Sequence, residues 1–170
     1  IGVHGFAHGG RLADAGKLPG EAVAPLLAHV DLPPEWRVVV FTPAAAGGWH
    51  GPRERHAFAT AAGGAPDALR HLAEAELLPA ARAGDFDAFG EALHEFNRKA
   101  GEPFAAAQGG VYSSPEGAAL VADLRSRGVR GVGQSSWGPA VFALVPDIDS
   151  AMSLVLRFRG RVPCFVTRTS

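Results

Sequence analysis

The run Val129-Arg130-Gly131-Val132-Gly133-Gln134-Ser135-Ser136-Trp137-Gly138-Pro139-Ala140-Val141-Phe142-Ala143-Leu144-Val145 decides the fold. Val129 to Gly133 and Ala140 to Val145 read as strands, and the Gly- and Pro-bearing segment between them is a tight connection with no room for a helix. Outward from this pair, Asp147 to Phe158 predicts a helix and Val162 to Val166 a last strand. Upstream, Trp36 to Phe41 (WRVVVF) is the best strand of the chain, and its unbroken apolar run predicts burial on both faces. With the helices between it and Val129 counted as one crossover, the order is βαββαβ. That order implies an α+β fold of ferredoxin-like shape, an antiparallel sheet with helices on one face.

The intervening helices have legible ends. One runs from about Pro52 to Ala62, after a loop over 43–52. A second starts at Asp67, carries Leu69, Leu72 and Leu77, and is ended or kinked by Pro79. A third is capped by Asp85 and presents Phe86, Phe89, Leu93 and Phe96, a core-facing stripe, with Gly101 just past its end. Residues 103–110 form a short helix or loop closed by Gln108-Gly109-Gly110. Ser114, with Pro115 at the first helical position, opens a helix that stops at Gly128. Residues 15–35, punctuated by Pro and Gly, hold at most one short helix, and 1–14 read as two short strands about the turn His8-Gly9-Gly10.

Composition narrows the function. Of 170 residues 47% are hydrophobic, enough for a real core, and the formal charge of −1 with a pI near 6.7 speaks against a sequence-independent nucleic-acid binder. No apolar run approaches a membrane span and no signal peptide is visible, so neither nucleic acid nor membrane is an expected partner. A single cysteine, Cys164, rules out an internal disulfide and fits a reducing cytoplasm. The chain opens without Met in an apolar stretch, as though cut inside a folded element.

Within Arg130 to Pro139, glycines at 131, 133 and 138 let the backbone take positive φ and a ligand approach closely. Successive N–H groups in such a loop can form an anion nest. Side chains of Gln134, Ser135 and Ser136 add hydrogen bonds to phosphate oxygens, and Trp137 covers an apolar or aromatic ligand face. The same residues equally make a plain strand connection with Trp137 in the core. No Gly-Lys-Ser/Thr ending is present and a strand follows, so the loop is neither a Walker loop nor a dinucleotide fingerprint.

The string Gly133-Gln134-Ser135-Ser136-Trp137-Gly138-Pro139 resembles the C-terminal motif of the β-ribofuranosylaminobenzene 5′-phosphate synthases, a family of the GHMP superfamily of galactose, homoserine, mevalonate and phosphomevalonate kinases. Three further stretches are similar to that family: Ile1-Gly2-Val3-His4-Gly5-Phe6 with Gly9-Gly10 and Asp14, then Gly51 with Glu54, then Gly84-Asp85-Phe86 through Gln108-Gly109-Gly110. The resemblance implies a C-terminal portion: residues 1–34 a remnant of the N-terminal lobe and its linker, 35–170 the C-terminal α+β domain. In GHMP proteins the main phosphate loop lies upstream of a segment like Ile1–Asp14, so this portion alone is expected to be inactive.

The implied reaction joins 4-aminobenzoate or 4-hydroxybenzoate to phosphoribosyl diphosphate, with loss of CO₂ and diphosphate, in tetrahydromethanopterin biosynthesis. The implied partners are those two small molecules, with a second copy of the chain as a candidate. No cofactor is expected within the chain, and Mg²⁺ is a candidate companion of the diphosphate. The substrate-binding set is then His4, Gly9, Gly10, Asp14, Glu54, Gln108, Gly109, Gly131, Gly133, Gln134, Ser135, Ser136, Trp137 and Gly138. No catalytic residue is assigned. GHMP kinases carry a catalytic Asp where spacing back from Gly9-Gly10 places Gly2, and glycine has no group to act as a base. That departure weighs against phosphoryl transfer and for the synthase; an ATP-dependent small-molecule kinase is the alternative, and a non-catalytic ferredoxin-like binding module the third reading.

The remaining candidates have ordinary explanations. His4 with His8, or His50 with His56, match no metal-ligand spacing. Asp14 is a turn former as readily as a hydroxyl contact, and Gln108-Gly109-Gly110 a helix stop as readily as a cleft wall. Arg125, Arg127 and Arg130 complement a helix C-terminus, with steering of a diphosphate as the functional reading. Ser135 and Ser136 have no His/Asp partner motif for a hydrolase triad.

Overall fold

A computed structural model describes residues 11–14, 25–43, 66–135 and 138–169. Its centre is a four-stranded antiparallel sheet of β3 (Arg37–Phe41), β4 (Val132–Gln134), β5 (Val141–Val145) and β6 (Cys164–Arg168), in the order β4-β5-β3-β6. That is the βαββαβ arrangement expected from the sequence, with the first and third strands in the middle. The register is regular: Val39 faces Ala143 on one side and Val166 on the other.

Between β3 and β4 lie α1 (Pro66–Leu72), a π-helical stretch (Ala73–Leu77), α2 (Leu78–Ala83), α3 (Phe86–Gly101), a 3₁₀ turn (Glu102–Phe104), α4 (Ala105–Gln108) and α5 (Pro115–Ser126). Helix α6 (Ile148–Phe158) joins β5 to β6. Two caps read from the sequence are formed, Asp85 accepting from Ala88 N–H and Ser114 from Gly117 N–H, whereas Asp67 lies inside α1; Asp147 also caps α6, accepting from Ser150 N–H. Pro79 neither ends nor sharply breaks its helix. The wider π turn directly precedes it and places it in the first turn of α2.

The crossover helices α5 and α6 cover one face. Val39, Phe41, Val141, Ala143 and Val145 point into it and meet Leu120, Val121 and Leu124 of α5 and Ala151, Leu154 and Phe158 of α6. Phe41 and Phe158, both fully buried, contact edge to face at 5.1 Å between centroids. A second core lies against the opposite face, where Leu144 meets Ala80 and Ala81 of α2, Phe89 of α3, and Trp36. Helices added before the crossover α5 thus reach beyond the expected single layer. Burial of WRVVVF on both faces is only half realised: Val39 and Phe41 are buried, whereas Val38 and Val40 are partly exposed.

At the N-terminal end, β1 (Arg11–Asp14) pairs antiparallel with β2 (Leu26–Val30). Strand β2 lies in the segment from which at most one short helix was expected. Its pattern, Leu26-Leu27-Ala28-His29-Val30, is too brief to stand out among the flanking prolines and glycines, and it gains definition because Val30 and Leu32 bury against Trp36. The expected strand before Gly9-Gly10 and the helix over 52–62 lie outside the described residues.

Candidate functional site

The site is built where α3 runs along β4, an edge strand of the sheet. One stripe of α3, at helical spacing, makes the contact: Gly90, His94, Asn97 and Gly101. Gly90 lies against Gly131, where a Cβ on either would press on Arg130 and Gly131 or on Leu144. His94 Nδ1 donates to the Val132 carbonyl at 2.7 Å, so its proton sits on Nδ1. Asn97 engages both backbone groups of one residue: its Oδ1 accepts from Gln134 N–H at 2.8 Å and its Nδ2 donates to Gln134 C=O at 2.8 Å. A carboxamide thus takes the place of a neighbouring strand. Gly101 presses against the Val111 carbonyl.

Beyond this seam opens a cleft of about 210 Å³ lined by Asn97, Ala100, Gly101, Phe104, Gln108, Val111, Tyr112 and Gln134. Its three carboxamides are anchored. Gln134 Oε1 accepts from Ser113 N–H at 2.7 Å, and Gln108 Nε2 donates to Val111 C=O at 3.0 Å. Burial pushes the Tyr112 phenol pKa above its ordinary value, against the pull of Arg98 and Arg125.

Among the described residues no charged side chain lines the cleft. Arg98 is held between Glu95 and Glu102, and its guanidinium pulls the Glu95 carboxyl down to about 2. Arg125 binds Glu91 at 2.9 Å and the Arg130 carbonyl at 2.8 Å, Arg130 reaches Asp87 at 3.2 Å, and Arg127 pairs with Asp123. The three arginines before the Gly-rich loop therefore brace α5 and β4 against α3 or their own helix.

The structure places the sequence-derived residues in three groups. Gln134 and Gln108, far apart in the chain, share the cleft. Gly131 and Gly133 are buried packing positions: a Cβ on Gly133 would sit 2.5 Å from Asn97 Cγ and 2.7 Å from Phe142 Cζ. Among the described residues, three amides of this backbone already have partners. Gln134 N–H bonds Asn97, Ser135 N–H bonds Ala140 C=O at 2.8 Å, and Gly138 N–H bonds Ser135 C=O at 3.2 Å. Gly109 is exposed and caps α4 with φ 82°, its N–H on Ala105 C=O. For Asp14 only the backbone position in β1 is described, and His4, Gly9, Gly10, Glu54, Ser136 and Trp137 lie outside the described residues.

Sequence reasoning missed Asn97, Ala100, Phe104, Val111 and Tyr112.

Among the described residues no group of three or more His, Cys, Asp or Glu side chains gathers, and no helix is long and apolar enough to cross a membrane.

Fold and seam together define the C-terminal lobe of a GHMP protein. The family described as GHMP kinases C terminal matches residues 77–161, and the chain belongs to it. It is similar to β-ribofuranosylphenol 5′-phosphate synthase of Methanothermobacter thermautotrophicus, 30% identical over 165 residues that cover 86% of this chain and 48% of that protein. Among solved structures it resembles mevalonate pyrophosphate decarboxylase from Streptococcus pyogenes (TM-score 0.65, 16% identity, 85% of this chain and 48% of the other). Homoserine kinase from Cytophaga hutchinsonii is a second likeness (TM-score 0.56, 13% identity, 86% and 45%). The chain spans about half the length of each of these proteins.

Proposed function

We propose that this chain is the C-terminal portion of a ribofuranosylbenzene 5′-phosphate synthase, which condenses 4-hydroxybenzoate or 4-aminobenzoate with phosphoribosyl diphosphate. The observation that carries the reading is the 30% identity to the archaeal synthase across 86% of the chain. Both segments that line the cleft from the sequence-derived set, at Gln108 and Gln134, fall within the residues that resemble the family.

The chemistry balances without a redox partner. The ring carbon bearing the carboxylate bonds to ribose C1 as diphosphate departs with the C1–O electron pair. Loss of CO₂ returns the carbon–carboxyl pair to the ring. A para hydroxyl or amino group feeds electron density to that carbon. The tasks left to the protein are alignment and exclusion of water, which would otherwise capture the ribosyl carbon.

The test uses the full-length product of the gene with carboxyl-labelled 4-hydroxybenzoate and phosphoribosyl diphosphate. Release of labelled CO₂ matched by a phosphoribosyl-arene detected by mass spectrometry supports the reading. ATP-dependent phosphorylation of a small alcohol without CO₂ release replaces it with the kinase alternative.

A further inference from the structure

We infer that the cleft between α3, α4 and the end of β4 is the subsite for the aromatic ring, and that the diphosphate-bearing substrate binds outside it. This rests on the reading above and deepens it.

Size is the first observation. At about 210 Å³ the cleft is smaller than the roughly 300 Å³ at which sites for larger ligands begin. It admits one substituted ring and excludes a ribose carrying three phosphates. Charge is the second. Among the described residues the lining is two aromatic rings, three carboxamides, Ala100, Gly101 and Val111, with no cation among them. A diphosphate placed there would lose its water without gaining a counter-charge, whereas an arene seated by its para substituent keeps its carboxylate, on the carbon that must meet ribose C1, outside the cleft. Arg98 and Arg125, the cations that act on Tyr112, are committed to Glu95 and Glu102 and to Glu91.

The lining suits an arene in a positive sense as well. Phe104 and Tyr112 offer ring faces and edges. Carboxamides both donate and accept, so the same wall serves a phenol hydroxyl or an aniline amine. Each amide is held by backbone bonds, Asn97 to Gln134, Gln134 to Ser113 and Gln108 to Val111, so little ordering remains to be done on binding.

The experiment is a titration of the isotopically labelled full-length product of the gene, followed by nitrogen–proton NMR. 4-Hydroxybenzoate is expected to shift the side-chain amide signals of Asn97, Gln108 and Gln134 and the backbone signals of Gly101 and Val111. Inorganic diphosphate at the same concentration should leave them in place. Two variants fill the cleft from different walls, Ala100→Leu and Val111→Phe, and each should weaken arene binding about tenfold or more. Retained spectral dispersion elsewhere identifies a folded variant.

Shifts centred away from these residues, displacement of the arene by diphosphate, or unchanged affinity in a folded filling variant would overturn the inference. In the full-length protein the two readings part. Turnover with the arene KM unmoved by both variants sinks the subsite and leaves the synthase standing. Arene bound in the cleft without any CO₂ release sinks the synthase and leaves the subsite standing.

Discussion

If Gly133 is a glycine because Asn97 needs the space, then the two positions must be energetically coupled. Gly133→Ala would place a methyl group 2.5 Å from Asn97 Cγ and Oδ1, nearly an ångström inside ordinary contact, and 2.7 Å from Phe142 Cζ. Asn97 must leave its place, and both its bonds to the Gln134 backbone, each 2.8 Å, are lost. Each such bond contributes about 0.5–1.5 kcal/mol net, and because water can enter through the cleft the lower half of that range applies, giving roughly 1–2 kcal/mol for Asn97→Ala. For Gly133→Ala, overpacking against Phe142 and the lost bonds together cost about 2–4 kcal/mol. Part of that loss is shared, so the double variant should be more stable than the sum of the singles predicts, by about 1 kcal/mol. Urea denaturation of the parent and three variants measures the cycle. Additivity within about 0.4 kcal/mol would refute the claim that Gly133 exists to admit Asn97.

Other predictions concern titration and capping. Glu95 has its pKa drawn from an ordinary 4.5 down to about 2, chiefly by the hydrogen bond from Arg98, so its stabilisation is complete above pH 4.5 and is lost as pH falls towards 2. Glu95→Gln should flatten that acid limb in pH-dependent unfolding, by no more than about 1 kcal/mol because the pair is partly exposed. Tyr112 is the one tyrosine of the chain, so ultraviolet titration reports it alone. Its ionisation midpoint should lie above the ordinary 10.0 in the folded protein and return to it in denaturant, with its contribution to stability intact below that pH and lost above it. Ser114→Ala removes the acceptor for Gly117 N–H and should cost about 1 kcal/mol, read as a lowered urea midpoint at unchanged slope.

Local signals in the sequence carried far into the fold and stopped at the site. Helix caps at Asp85 and Ser114 were legible because each depends on one side chain and an amide three residues on. The strand pair around residues 129–145 was legible because no helix fits between its members. Strand β2 was not, since its definition comes from Val30 and Leu32 meeting Trp36 and not from its own few residues. The cleft was half legible. Gln108 and Gln134 stood out within family-like strings, whereas Asn97, Phe104 and Tyr112 acquire a role only when α3 and the segment after it fold against β4. A Gly-rich run also supports two physical readings, nest or close packing, and only the partner helix distinguishes them.

That distinction changes how the family-like string is understood. Strand β4 is a sheet edge, and an uncovered edge offers unpaired amides and carbonyls to any passing strand. Here α3 covers it with side chains: His94 meets the Val132 carbonyl and Asn97 meets both groups of Gln134. Covering an edge with a helix at this range requires residues without side chains where the backbones meet, hence Gly90 against Gly131 and Gly133 beneath Asn97. The same seam then fixes Gln134 at the mouth of the cleft with its side chain tied to Ser113. Edge protection and site construction are one set of contacts. A substitution in the seam should therefore alter stability and arene binding together, whereas one at Ala100 or Val111 should alter binding with stability largely retained.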